Sequence, residues 1–427
     1  MSFIYKPPTE WIAPDSFPTE QLCQAKEIAI DLETRDPNLK QLGPGYIRGD
    51  GEVVGVSFAI DGYADYFPFG HEAGFNFSKK KVLEFTKKIC ATNSDKIFHN
   101  ATYDIGWLAK EGITVSGRII DTMIVAPLID ENQYWYTLNA LGREYINEGK
   151  TEADLNAAAE EWGLDPKAEM WRLPSAYVGT YATQDAALTL KLWNHFKVLL
   201  EEQNLWNIFD LEIDVLPVVL AMKQKGVRVD IERAESLKIE LVKREKQIIQ
   251  KIKKESGVPE VQLWAAKSLA KVFDVLKLTY VRTPTGLPSF TKAFLENHTH
   301  PVANLIREAR EVNKTHSTFI DSILKHEHNG RIHAEIRQLR GEAGGTVTGR
   351  LSMSNPNLQQ VPARNKEIGP LIRSLFLPEE GEQWCSADFS QQEPRILTHY
   401  ASRSKYEGAE AIADAYHEGD ADFHQEV

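Results

Sequence analysis

Glu27-Ile-Ala-Ile-Asp31-Leu-Glu33 reads as a β-strand. Side chains alternate along a strand, so Asp31 and Glu33 point to one face. Two carboxylates side by side repel and raise each other's pKa unless a cation sits between them. Farther along, Asn100-Ala-Thr-Tyr103-Asp104 sets Asn100 and Asp104 four residues apart, on one face of a helix. Tyr181-Ala-Thr-Gln-Asp185 repeats that spacing with a phenol and a carboxylate. Taken singly, either segment describes an ordinary helix face with a capping side chain equally well.

The surrounding sequence predicts a mixed domain. Val53 to Ile60 and Tyr63 to Phe69 read as strands joined at Asp61-Gly62, a type I′ hairpin signal. Lys96-Ile-Phe-His99 reads as a short strand feeding a helix from Asn100, and Thr180 to Leu200 has helical periodicity. Strands and helices mixed in this way indicate an α/β fold. After about residue 200 the texture turns helical and charged. Asp210 to Glu255 reads as long helix broken at Lys225-Gly226, followed by helix in Leu263 to Val275 and Pro301 to His326. Strand signals return at Arg331-Ile-His-Ala-Glu-Ile336 and Trp384-Cys-Ser-Ala387. The expected division is 1–205, 206–330 and 331–427. Asp420-Ala-Asp422 reads as a helix start with barely one turn after it, too little for a stable helix alone.

In this order, Asp31, Glu33, Asp104 and Asp185 offer hard oxygen ligands suited to Mg²⁺ or Mn²⁺. Two such ions activate a water and stabilise the leaving oxygen of an in-line phosphoryl displacement. Tyr181 is placed to orient that water. Over residues 1–200 the motifs resemble the DEDD exonucleases in their tyrosine-bearing branch. The resemblance implies a ribonuclease H-like fold, two metal ions, and 3′→5′ hydrolysis of DNA. It carries over at Asp31 and Glu33, at Asn100, Tyr103 and Asp104, and at Tyr181 and Asp185, with Asn100 and Tyr103 expected to touch DNA. Asp121-Thr122 reads as a strand-to-helix cap rather than a ligand. His99 reads as either a core residue or a phosphate neighbour. Gly43-Pro44-Gly45 lacks a following Gly-Lys-Ser/Thr, so it reads as a turn and not a phosphate cradle. His298, His300, His316, His326 and His328 lack ligand spacing, and no zinc is expected there.

Thr348-Gly-Arg350-Leu-Ser, then Asn355-Pro-Asn-Leu-Gln359-Gln-Val-Pro362, is a dense run of turn formers around one arginine. An arginine on a rigid turn reaches the minor groove, where purine N3 and pyrimidine O2 look alike in all base pairs. Such a contact checks pair shape without reading sequence. Trp384-Cys-Ser-Ala-Asp388-Phe-Ser-Gln-Gln-Glu393-Pro-Arg395 follows. This block is similar to the first catalytic motif of family A DNA polymerases. The 348–362 run resembles that family's primer-template segment, and Thr315 to Asp321 its helix entering the palm. The resemblance implies an exonuclease domain, then a mainly helical thumb, then the first part of a polymerase palm. It makes Asp388 a ligand for catalytic Mg²⁺ and Glu393 a steric gate against a ribose 2′-OH. It gives Arg350 and Gln359 DNA contacts, and has Arg395 support the deoxynucleoside triphosphate site. Ser390-x-x-Glu393 also matches a capping box, which stays open as the role of Glu393. The family's fingers helix and its His-Asp-Glu motif are not found by residue 427. The expectation is therefore the N-terminal part of a proofreading polymerase, either a natural split subunit or a truncated product, whose site needs a second segment such as a second polypeptide. The alternatives are a self-sufficient 3′→5′ exonuclease and a non-catalytic DNA-binding module.

The 427 residues are 42% hydrophobic and 26% charged, with a net charge of −12. That balance argues against a simple basic coat for nucleic acid. Locally the charge reverses, since Lys223 to Glu255 holds eleven Lys/Arg against six Asp/Glu. Lys243 and Arg244 within it are expected to run along DNA phosphates. No apolar window is long enough for a membrane span, and MSFIYKPPTEW is no signal peptide. Three scattered cysteines fit a reducing, cytoplasmic setting in a bacterial or phage-infected cell.

Overall fold

The computed structural model describes residues 9–342, 344–362 and 365–419. The first eight residues and Asp420-Ala-Asp422 lie outside the described residues. Strands β1 (Glu27–Arg35), β2 (Glu52–Ile60), β3 (Tyr63–Pro68), β4 (Asp95–Phe98) and β5 (Ile119–Asp121) form one sheet in the order β3-β2-β1-β4-β5. The central strand β1 runs antiparallel to β2 and parallel to β4. Its central place explains why Ile28, Ala29 and Ile30 are wholly buried. Asp31 lies opposite Ser57 and Glu33 opposite Gly55, and the register shifts between Glu33 and Thr34. Such a bulge twists the strand and re-aims the side chains beside it. The β2–β3 loop has the expected two residues, with Ile60 facing Tyr63. Of the pair, only Gly62 has positive φ (74°), so the turn is not type I′, which needs both residues there.

Helices α1 (Ala101–Lys110), α2 (Thr122–Ile129), α3 (Leu138–Ile146) and α4 (Ser175–Glu202) complete this layer. Helix α4 packs on the sheet through Leu188, Leu192 and Phe196. Gly179 admits Trp11 to that helix, for a Cβ there would stand 2.0 Å from the indole. Helix α5 (Trp206–Lys225) buries Phe209, Ile213, Leu216 and Leu220 in the same core. This corrects the division at 205. The charged residues of α5 hide a 3.6-period apolar stripe, and that stripe sends the helix to the first core.

A second core joins α6 (Ile231–Ser256) and α7 (Pro301–Lys314) through Leu237, Leu241, Ile248, Val302 and Ile306. Ile332, Ile368, Ile372 and Leu375 belong to it too, so residue 330 is not a packing boundary either. The compact units divide at Leu377 and Pro378. Strands β6 (Val227–Val229), β7 (Glu327–His328) and β8 (Arg331–Ile332) pair beside the second core. Strand β9 (Glu335–Arg337) pairs instead with β10 (Ser352–Ser354). The single strand expected over 331–336 is thus two, in different sheets. Between them the His333 ring bonds the Lys223 carbonyl at 2.9 Å. The strand expected over 384–387 is absent as well. Residues 384–387 are irregular and belong to none of the described sheets. The second unit contains α8 (Gln392–Arg403) packed on α9 (Ala409–Glu418).

One buried ion pair binds the first core to β9. Lys223 of α5 is 2% exposed, with Nζ 2.9 Å from Glu335 and 3.3 Å from the Thr102 hydroxyl of α1. Removing one partner strands the other charge in a dry place. Glu335→Ala is expected to lower unfolding stability by about 3 kcal/mol. Denaturant midpoints of the two proteins check this, and equal midpoints would show that water reaches Lys223.

Candidate active site

The bulge in β1 presents Asp31 and Glu33 to the face of α4 that carries Tyr181 and Asp185. Ligand oxygens of Asp31, Glu33 and Asp185 lie within 4.8 Å of one another. Glu33 and Asp185 are only 6% and 4% exposed. Glu33 Oε1 and Asp185 Oδ1 are buried with no hydrogen-bond partner. A buried carboxylate oxygen left bare is costly, and a hard cation is the partner this donor set fits. Burial, and then the Asp185 charge, pushes the Asp31 carboxyl up to about 7. Burial, followed by Asp31 and Asp185, holds Glu33 well above the ordinary carboxylate range.

Asp104 of α1 stands apart from this trio. Its Oδ1 accepts the Leu32 amide at 3.2 Å, and burial, then Asp31, raises its pKa. Asn100 sits just ahead of α1 with φ 77°, and its amide donates to Asp121 at 2.9 Å. The Tyr103 hydroxyl meets Thr34 at 2.7 Å and donates to Asp36 at 3.3 Å, so it braces the strand just past the bulge. Asp121 is a cap, as expected. It accepts the amides of Met123 and Asn100 at 2.9 Å and of Ala101 at 2.8 Å, joining the starts of two helices. His99 is half-buried just after β4. Its ring bonds Thr122 and the Tyr136 carbonyl, and burial pulls its pKa to about 3, leaving it neutral. Among the other histidines, His300 caps α7, and His316 bonds Glu245 at 2.5 Å.

The basic stretch resolves into two roles. Lys243 is exposed on α6, on one side with Lys246, Lys251 and Lys254. Arg244 is not free for phosphates, which corrects its expected role. Its guanidinium holds Glu308 at 2.7 Å and also Glu367, pinning α6 to its neighbours. Arg350 is exposed in the segment between β9 and β10, where its carbonyl accepts the Thr346 hydroxyl at 2.6 Å. Gln359 braces that segment through the Leu351 carbonyl at 2.8 Å. In the second unit, Asp388 is exposed in an irregular stretch and Glu393 in the first turn of α8. The cap of α8 is Gln391 rather than Ser390, and Pro394 falls in the tolerated first turn. Arg395 donates to the Ser390 carbonyl at 2.9 Å and lies 4.5 Å from the Tyr416 ring.

Residues 18–201 match the 3′-5′ exonuclease family, and residues 231–427 match DNA polymerase family A. The chain thus joins a segment similar to the 3′-5′ exonucleases to a segment similar to the family A DNA polymerases. The DNA-directed DNA polymerase of Pseudomonas phage M6 is 36% identical over 424 residues, covering 95% of this chain and 64% of that protein. DNA polymerase DpoZ of Salmonella phage PMBT28 is 33% identical, with 94% and 65% covered. DNA polymerase I of Chloroflexus aurantiacus is 30% identical over 86% of this chain and 39% of its own length. The chain therefore spans less than two thirds of the length of these relatives. The POL domain of Pol1 from M. smegmatis, solved with DNA primer-template and dNTP, shares the fold. Its TM-score is 0.69 at 22% identity, over 90% of this chain and 61% of that one.

Sequence reading missed Lys150. Its ammonium bonds Asp185 and reaches the Tyr181 hydroxyl at 3.2 Å. It sits in a loop after α3 with no motif to mark it, and only the fold carries it to the acids.

Proposed function

We propose that the chain removes nucleotides from DNA 3′ ends with Mg²⁺ or Mn²⁺, and that its C-terminal part holds primer-template within an incomplete polymerase site. The observation that carries this is the trio Asp31, Glu33 and Asp185, with two bare buried oxygens beside a tyrosine hydroxyl. Two divalent ions, when bound, would supply water activation and leaving-group stabilisation. Asp31, Glu33 and Asp185 would hold them, with Asp104 fixing the path of β1 through its bond to Leu32. Tyr181 would orient the attacking water. Asn100 and Tyr103, at the start of α1, would contact the departing strand. End-labelled single-stranded DNA should shorten stepwise from its 3′ end in Mg²⁺. Intact DNA after long incubation with folded protein would overturn the reading.

In the polymerase part, Arg350 and Gln359 would contact the primer-template, and Asp388 would bind catalytic Mg²⁺. Glu393 would close on a 2′-OH, favouring deoxynucleoside triphosphates, with Arg395 holding the start of α8. A further segment bearing the fingers and a second palm carboxylate would complete the site, either within one longer chain or as a second polypeptide. The phage and bacterial relatives support work in the host cytoplasm. No helix of the described residues is long and apolar enough to cross a membrane.

Lys243 is the phosphate contact retained from the basic stretch. Lys243→Glu should weaken DNA binding about equally for all sequences, and binding should fall steeply with salt. Arg244→Glu should instead lower stability, because two carboxylates lose their partner. Affinity that stays flat between low and high salt would remove α6 from the DNA surface.

A further inference from the structure

The acid trio is not left without a cation. The loop carrying Lys150 is fastened to the helix that supplies Tyr181 and Asp185. The Gln184 side chain donates to the Gly149 carbonyl at 2.9 Å and accepts the Thr151 amide, clamping both neighbours of Lys150. Asn139 of α3 accepts the Lys150 amide at 2.9 Å. The lysine side chain, 15% exposed, then runs in to Asp185 and Tyr181, with Nζ 4.9 Å from the tyrosine ring centre. Its ammonium is paired with Asp185, whose ligand oxygen lies within 4.8 Å of those of Asp31 and Glu33. A lysine so placed is no solvated surface charge, because its backbone and its tip are both held.

We propose that Lys150 is the resident counter-ion of the acid trio, sharing Asp185 with an incoming divalent ion and so setting how tightly that ion is held. This rests on the exonuclease reading above. The ammonium and a divalent cation want the same Asp185 carboxylate, and two positive charges a few ångströms apart repel strongly in a partly buried site. Lys150 thereby keeps the metal-free acids compensated and weakens metal binding. Through its bond to the Tyr181 hydroxyl it also keeps that phenol at the acids while the metal is absent. It acts through Asp185 and Tyr181, and is a positioning residue.

The experiment compares wild type, Lys150→Met, Lys150→Arg and Asp31→Ala as full chains. Mn²⁺ affinity is read by electron paramagnetic resonance, and thermal midpoints are read with chelator and with saturating Mn²⁺. Lys150→Met should bind Mn²⁺ about tenfold more tightly than wild type. Its midpoint should fall by about 5 °C in chelator and recover in Mn²⁺, since the metal then replaces the lost charge. Lys150→Arg should stay near wild type in chelator. Equal Mn²⁺ affinity in Lys150→Met and wild type would overturn the proposal. So would a midpoint loss of the same size with and without metal, or a Lys150→Met chain that fails to fold even in Mn²⁺; each would make the lysine a plain structural strut. Mn²⁺ binding in wild type that Asp31→Ala leaves untouched would instead overturn the exonuclease reading itself, and this inference with it.

Discussion

Asp31→Ala is expected to cut 3′-end hydrolysis by about a thousandfold or more, leaving DNA affinity within about twofold. Asp31 belongs to the trio of oxygens within 4.8 Å, and the other two members are nearly buried. Losing one of three ligands removes the cation site, whereas the surfaces that hold DNA stay in place. The substitution should not unfold the protein. Three crowded carboxyls repel, and burial already pushes Asp31 up to about 7. Removing one should leave the metal-free chain as stable as wild type or more so. A 5′-labelled single strand, followed on a sequencing gel beside a thermal melt of the same sample, reads both effects. Full digestion by well-folded Asp31→Ala protein would take these acids out of the reaction.

Primer extension by the 427-residue chain is expected to stay at background, measured with Asp31→Ala to suppress degradation. Nucleotidyl transfer needs two ions held by palm carboxylates and a cationic grip on the triphosphate. Asp388 is exposed in an irregular stretch, and among the described residues no group of three acidic ligands forms around it. Residues 384–387 ahead of it are irregular rather than a strand of any described sheet. Adding a segment with a lysine-bearing fingers helix and a His-Asp-Glu motif, fused or separate, should restore extension. Robust extension by the lone chain would refute the incomplete site. No extension with a stably bound partner would favour a self-sufficient exonuclease whose C-terminal part only holds DNA.

The acids of the proposed exonuclease site were legible because strand and helix periods convert spacing into direction. Asp31 and Glu33 at i and i+2 must share a face of β1, and Tyr181 and Asp185 at i and i+4 must share a face of α4. Asp121 was legible too, since a carboxylate at a strand-to-helix step meets bare amides. The segment boundaries were not. Charge along α5 masked Phe209, Ile213, Leu216 and Leu220, whose burial sends that helix to the first core. Arg244 looked like its neighbour Lys243, yet one faces Glu308 and Glu367 while the other faces solvent. Periodicity tells which residues share a face. It does not tell which residues, distant in the chain, will meet that face. The clearest case is Lys150, 35 positions from Asp185 and brought to it by the Gln184 clamp and the turn after α3. Local geometry therefore wrote Asp31, Glu33, Asp185 and Tyr181 into the sequence. The cation beside them, the partner of Lys223 and the extent of each core depended on packing between distant segments, where burial and charge pairing act only after the chain has folded.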